Sequence, residues 1–265
     1  MRKYFFPCMV LCFLVPATYA QIFIPIIIPA YTYDYFECNT TDSKALDYFN
    51  LGKENMSTNL NVSLAYFKGA IKEDSLFCDA YDYTARVFMK KEKNDSALKY
   101  IDLSLGINAA NPWAGDMKIH LHFLLKEYEK AGDYAYSRHQ KQSDDGQWLY
   151  YLAESLFERD LLDSAKNITL KMQMVMQNQG NEYASVQSMY LQGKIFCKMK
   201  EYEIAQRALR NVKSKYRSDA EFNYYLGLTY LYSENPNYKK AGKYIKKAFK
   251  KDMEIPSEVS NALSM

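Results

Sequence analysis

The small residues of this chain recur every 34 positions, and a period of that length confines the fold to a stack of similar units. Ser63, Ala97, Ala131 and Ala165 are each 34 apart, and Ala205 and Ala241 continue the series after short insertions. Bulky pairs follow at a fixed offset: Tyr66-Phe67 before Ala70, Tyr100-Ile101 before Ser104, Tyr244-Ile245 before Ala248. Eleven to fourteen residues ahead of five of the six anchors stands a second small residue, in Leu51-Gly52, Thr84-Ala85, Leu152-Ala153, Gln192-Gly193 and Leu226-Gly227. Apolar residues fall three and four apart, as in Leu149-Leu152-Ala153-Leu156, which is the spacing of one helix face. Two helices with small residues at their crossing make one unit, and neither can bury its apolar face without neighbours.

Six such pairs are expected. Their first helices cover approximately residues 45–57, 79–91, 113–126, 147–159, 184–199 and 219–233; their second helices cover 60–73, 95–107, 128–141, 162–177, 202–215 and 238–251. Polar turns such as Lys93-Asn94-Asp95 and Ser233-Glu234-Asn235-Pro236 separate the helices of a pair, and Pro112 suits the first turn of the helix that it opens. Asp144-Asp145, before Gly146 and Trp148, is expected to end one helix and cap the next. A 34-residue helix–turn–helix unit with these small and aromatic positions resembles the tetratricopeptide repeat. The resemblance covers residues 45–251 and implies an all-α solenoid of about six repeats wound as a right-handed superhelix. Three places depart from the pattern. Lys118-Ile119 stands where an apolar-small pair is expected, Arg138 stands where a small residue should follow, and the excess between Ala165 and Ala205 is expected to lengthen Met174 to Glu182.

Both ends lie outside the repeats. Arg2 and Lys3 precede an apolar run from Tyr4 to Pro16, and Thr18-Tyr19-Ala20 places small residues at −3 and −1. That is the layout of a secretory signal peptide over residues 1–20, with cleavage expected before Gln21. An uncleaved anchor is the alternative, but a spanning helix needs about 20 apolar residues, and Pro16, Pro25 and Pro29 interrupt the run. Cys8 and Cys12 lack the preceding small residue that lipid attachment uses. Residues 21–44 form an Ile/Pro-rich segment whose prolines, Pro25 and Pro29, favour an extended path, as a cap on the first repeat or as a docking segment. Residues 252–265 read as a C-terminal tail. The chain is thus expected to be exported, to the periplasm, the outer membrane or beyond. Asp74-Ser75-Leu76, Asp95-Ser96-Ala97 and Asp163-Ser164-Ala165 resemble the O-glycan acceptor triplets of exported bacterial proteins, although Asp and Ser also cap helices.

Removing residues 1–20 takes two of the 34 Lys and Arg and none of the 31 Asp and Glu, leaving 32 against 31. Such balance gives no general pull toward nucleic acid. Of the remaining cysteines, Cys38 and Cys78 are near enough in sequence to tie the N-terminal segment to the first repeat, with two free thiols as the alternative; Cys197 falls on a packed helix as a small hydrophobe.

Catalytic signatures are missing: there is no His-Glu-x-x-His, Gly-rich phosphate loop, Gly-x-Ser-x-Gly or Cys-x-x-Cys. His120 and His122 would point about 200° apart on a helix and cannot chelate one ion together. No catalytic residue, metal or cofactor is assigned. The resemblance instead directs attention to the first helix of each pair, which lines the groove of such solenoids with the residues three before and one after the small position. Carried over, the first row reads Phe49, Asp82, Asp116, Tyr150, Tyr190 and Tyr224, and the second Lys53, Arg86, His120, Glu154, Lys194 and Leu228. Tyrosine joins a large apolar face to a hydroxyl at low rotamer entropy, which suits an extended peptide. The competing reading is that tyrosines fill core positions, as Tyr48, Tyr81 and Tyr230 should. Relatives that clamp a C-terminal carboxylate start the clamp with a basic residue. Phe49 and Asp82 stand at that place, so that partner is not expected.

The expected function is a non-catalytic protein–protein module with a protein or peptide partner. The alternative is an envelope assembly component held by the Ile-rich segment and by the helix Lys239–Lys251. There Lys239, Lys240, Lys243, Lys246, Lys247, Lys250 and Lys251 oppose Ala241, Tyr244, Ile245, Ala248 and Phe249. Those lysines serve either as a solvated outer face or as a contact with an anionic surface.

Overall fold

A computed structural model describes residues 38–141, 146–178, 182–249 and 255–264. The expected signal peptide, residues 21–37, Asp144-Asp145, Lys250 and Lys251 lie outside the described residues. Among the described residues the chain is entirely helical between its turns. The first five units are α1 (Ser43–Asn55) with α2 (Leu60–Glu73), α3 (Cys78–Lys90) with α4 (Asn94–Ile107), α5 (Pro112–Leu124) with α6 (Tyr128–Lys141), α7 (Gly146–Glu158) with α8 (Leu162–Asn178), and α9 (Glu182–Lys198) with α10 (Tyr202–Val212). The sixth is α11 (Ala220–Tyr232) with α12 (Tyr238–Ala248), and α13 (Ser257–Leu263) follows. The residues added between Ala165 and Ala205 extend helices: α8 and α9 each have 17 residues.

Local chemistry sets the helix ends. Asp42 Oδ1 accepts from Ala45 N at 2.8 Å, and Asn111, Asp219 and Asn237 cap α5, α11 and α12 in the same way. Inside units two to five the first helix closes with a left-handed residue: Glu92, Lys126, Asp160 and Lys200, at φ of 56°, 59°, 60° and 64°. The next residue's N–H reaches back to close the turn, as from Lys93 to Phe88 O at 2.9 Å and from Glu127 to His122 O at 2.8 Å. This is the Schellman closure that glycine usually serves, built here without glycine.

Packing follows the small residues. Ala97, Ala131, Ala165, Ala205 and Ala241 are fully buried, and Ser63 donates its hydroxyl to Gly52 O at 2.7 Å across the α1–α2 crossing. A β-carbon on Gly52 would lie 2.5 Å from the Phe67 ring, on Gly193 2.5 Å from Leu209, and on Gly227 2.6 Å from Ile245. The glycines are there because the partner side chain occupies that space.

Unit three solves the crossing differently. Ile119 fills the place of the small residue on α5, and α6 sits close on α7, where a β-carbon on Gly132 would collide with Ser155 Oγ. Arg138 is accommodated between the units: its stem is buried, its guanidinium lies 5.0 Å from the Trp148 ring, and Nη1 donates to Ala109 O. Lys118 is drawn outward to Asp102 at 2.7 Å.

Segments outside the six pairs are tied to both end units. Cys38 and Cys78 form a disulfide with Cα atoms 5.4 Å apart, within the range such bonds span. Thr40 Oγ1 donates to Asp74 Oδ2 at 2.5 Å beside it. The segment before α1 is thereby fastened to the α2–α3 corner. At the other end the residues expected as a tail form α13, which buries Val259 and brings Leu263 to Gly242 of α12. Val259 and Leu263, four apart on one helix face, give α13 its reason to form. Cys197 is buried, with its thiol pushed up to about 12 by that burial.

Candidate functional site

The first row of expected groove residues serves mostly as joints between units. Phe49 is buried, its ring 4.8 Å from Phe77 and 5.0 Å from Tyr83 of the next unit. Asp82 Oδ2 accepts from Asn111 Nδ2 at 2.7 Å, and Asn111 is the cap of the next first helix. Asp116 Oδ1 accepts from Gln147 Nε2 at 2.9 Å. The Tyr190 hydroxyl donates to Glu221 Oε2 at 3.0 Å. In each of the three polar cases a residue three before the small position reaches the opening turn of the following unit's first helix. Phe49, Asp82, Asp116 and Tyr190 are all buried, and contact with the next unit is the reason. Tyr150 and Tyr224 remain half-buried.

The second row divides in a different way. Lys53 is exposed, with Nζ 4.8 Å from the Phe49 ring. Arg86 is half-buried, its guanidinium 4.6 Å from Tyr83 and 4.3 Å from Trp113. His120 is buried, and burial lowers its pKa. Glu154 and Lys194 are both buried and belong to one polar cluster. Lys194 Nζ pairs with Glu221 Oε1 at 2.9 Å and lies over the rings of Phe157, Tyr190 and Tyr225 at 4.8, 5.7 and 6.0 Å. Burial works to lower the Lys194 pKa, but the charges of Glu221, Glu154 and Glu158 overcome it and raise it. Glu154 is the opposite case. Burial pushes its carboxyl up to about 7, with Glu158 and Glu221 adding to the rise, although Lys194 and a hydrogen bond from the Tyr150 hydroxyl pull it down.

Lys53, Arg86, Tyr150, Tyr224 and Leu228 are therefore the members of the two rows that retain accessible surface. Sequence reasoning missed the groups that answer the row residues: Trp113, Asn111, Gln147, Asp219 and Glu221. All five stand in the N-cap or first helical positions of a first helix, so their place at a helix start was the signal available. Tyr230 stacks on Tyr244 at 5.7 Å and is buried, as a core tyrosine should be. On α12, Lys239, Lys240, Lys243, Lys246 and Lys247 are exposed and form no ion pair among the described residues. No described helix is long and apolar enough to cross a membrane.

No protein-family model matches the sequence, and no curated protein does. Solved structures share the architecture at low identity. A tetratricopeptide repeat protein from Parabacteroides merdae ATCC 43184 superposes with a TM-score of 0.63 at 14% identity, over 84% of this chain and 98% of its own. A chain of the APC/C hetero-tetramer Cut9–Hcn1 gives 0.62 at 19% identity over 83% of this chain, which spans only 42% of that one. YrrB, described as a TPR protein with an unusual peptide-binding site, gives 0.50 at 19% identity over 75% of this chain and 96% of its own.

Proposed function

We propose that this tetratricopeptide-repeat solenoid is a non-catalytic interaction module, exported from the cytosol, that holds an extended peptide segment against the first helices of its units. One observation carries the reading: Lys53, Arg86, Tyr150, Tyr224 and Leu228 keep accessible surface at matched positions along the stack, while their neighbours in the same rows are buried. The surface that the stack leaves accessible on these side chains is available to a partner. YrrB, which has the same fold, is a peptide binder by its description. The Cys38–Cys78 disulfide supports export, because such bonds persist in oxidising compartments.

The test compares capture of partners from a cell-envelope extract with melting temperature for Tyr150→Ala, Tyr224→Ala and Tyr230→Ala. Binding lost at the first two with little change in melting supports the groove. If they melt as early as Tyr230→Ala, they are core and the reading fails. Export is tested separately by mapping the N-terminus of the mature chain, which should begin at Gln21.

A second reading is favoured by the five exposed lysines of α12, none of them in an ion pair among the described residues: an envelope component attached through that helix and the Ile-rich segment. Replacing Lys243, Lys246 and Lys247 with Gln should then release the protein from envelope fractions, whereas the tyrosine variants should not.

A further inference from the structure

Arg86 is a second-row residue whose guanidinium is gripped by the fold and left without an acceptor. Its guanidinium carbon lies 4.6 Å from the ring of Tyr83 of its own helix and 4.3 Å from that of Trp113 of the next unit. Its Nε is buried with no hydrogen-bond partner, and no ion pair from it forms among the described residues. Asp82, one turn earlier, feels the Arg86 charge but forms no ion pair with it, and its Oδ2 accepts from Asn111. The fifth unit differs. Lys194 occupies the same register and is answered by Glu221 at 2.9 Å. Six residues before its small position the sixth unit has Glu221; the third unit, at the equivalent place, has Trp113. The chain thus offers Arg86 a ring face where it offers Lys194 a carboxylate. Lys53, one unit earlier, is exposed and likewise forms no ion pair among the described residues.

A guanidinium packed against two rings presents its N–H fork in one orientation, which matches a carboxylate bidentately and with little entropy left to lose. We propose that Arg86, with Lys53 in the same row one unit earlier, anchors an acidic side chain of an extended partner segment laid along the first helices. This rests on the peptide-binding reading and adds the partner's chemistry to it. The side chain of a continuing segment is favoured over a chain terminus because Arg86 lies on the second of six units, with accessible side chains both before it at Lys53 and after it at Tyr150.

The experiment is selection of random displayed peptides on the intact protein, followed by affinity measurement. Recovered peptides should share an Asp or Glu at one position. Changing that residue to its amide, or Arg86→Gln in the protein, should each weaken binding by about tenfold or more. Combined, they should weaken it little further, since both remove the same contact. The peptide-side change leaves the protein untouched, so it decides the matter even if Arg86→Gln loosens the contact with Trp113. Peptides that depend on Tyr150 and Tyr224 but carry no required acid overturn this inference and leave the peptide-binding reading standing. Binding that needs only a free peptide C-terminus also overturns it. Recovery of no peptide at all overturns both.

Discussion

Lys194 Nζ lies 2.9 Å from Glu221 Oε1, so a buried cation on α9 is held by the first turn of α11. The contact joins units five and six inside a ring of Phe157, Tyr190 and Tyr225. Removing one partner of a buried pair strands the other. Glu221 is partly exposed, so Glu221→Gln should cost about 1–3 kcal/mol, below the full penalty of a wholly buried pair. Lys194→Met keeps an apolar stem among the rings and should cost less. Urea unfolding of both variants checks the order; a larger loss in Lys194→Met would mean that the pair does not govern this joint.

Stability should decline as pH rises from the acidic range to about 7. Burial holds Glu154 at about 7 and Asp82 at about 6, both above the range in which an unfolded chain releases these protons, about 4. Between that range and about pH 7 the folded protein retains protons that the unfolded chain has lost. Unfolding free energy therefore falls with rising pH across this window and levels above it. The loss should be on the order of several kcal/mol, and Glu154→Gln should remove about half of it. Melting curves from pH 5 to pH 8 would count against the assignment if the slope were the same in Glu154→Gln.

Glycines at the crossings define the register. Gly227→Leu must displace Ile245, including its backbone nitrogen at 3.2 Å from a new β-carbon, and should cost about 1–3 kcal/mol. Ala97→Leu should behave alike. Gly106, with open space around it, is the control, and Gly106→Ala should be neutral or stabilising. Thermal melts of the three variants would show the crossings to be misassigned if Gly227→Leu and Gly106→Ala were equal.

The left-handed turn residues contribute to stability through the backbone. Lys126, at φ 59°, tolerates replacement by glycine but not by a β-branched residue. Lys126→Val should cost about 1–3 kcal/mol, and Lys126→Gly should stay near wild type. Equal stability of the two would remove the turn closure as a source of order in unit three.

The sequence and the structure agree most closely where the chemistry is local. The six pairs stand as expected, and caps such as Asn111 and Asp219 open helices within reach of their own backbone. Pro112 opens α5 as its fixed φ requires. The groove rows were legible as positions but not as roles. Asp82, Asp116 and Tyr190 were placed on the first helices correctly, yet each is consumed by a residue 29 to 31 places further along. No period within one unit can show that contact, because it depends on the angle at which the next unit is stacked.

The 34-residue recurrence of Ser63, Ala97, Ala131 and Ala165 by itself determined the helix pairs and their crossings, since a side chain that must vanish at each crossing leaves its mark at a fixed interval. Tertiary structure alone decided which exposed-looking polar residues became joints and which kept their surface. It gave Lys194 a carboxylate and Arg86 two aromatic faces, closed the Cys38–Cys78 bond, and turned the last residues into α13. Each outcome depends on which side chains are brought within a few ångströms by stacking, and residues some 27 or more apart in sequence meet only when the units are assembled.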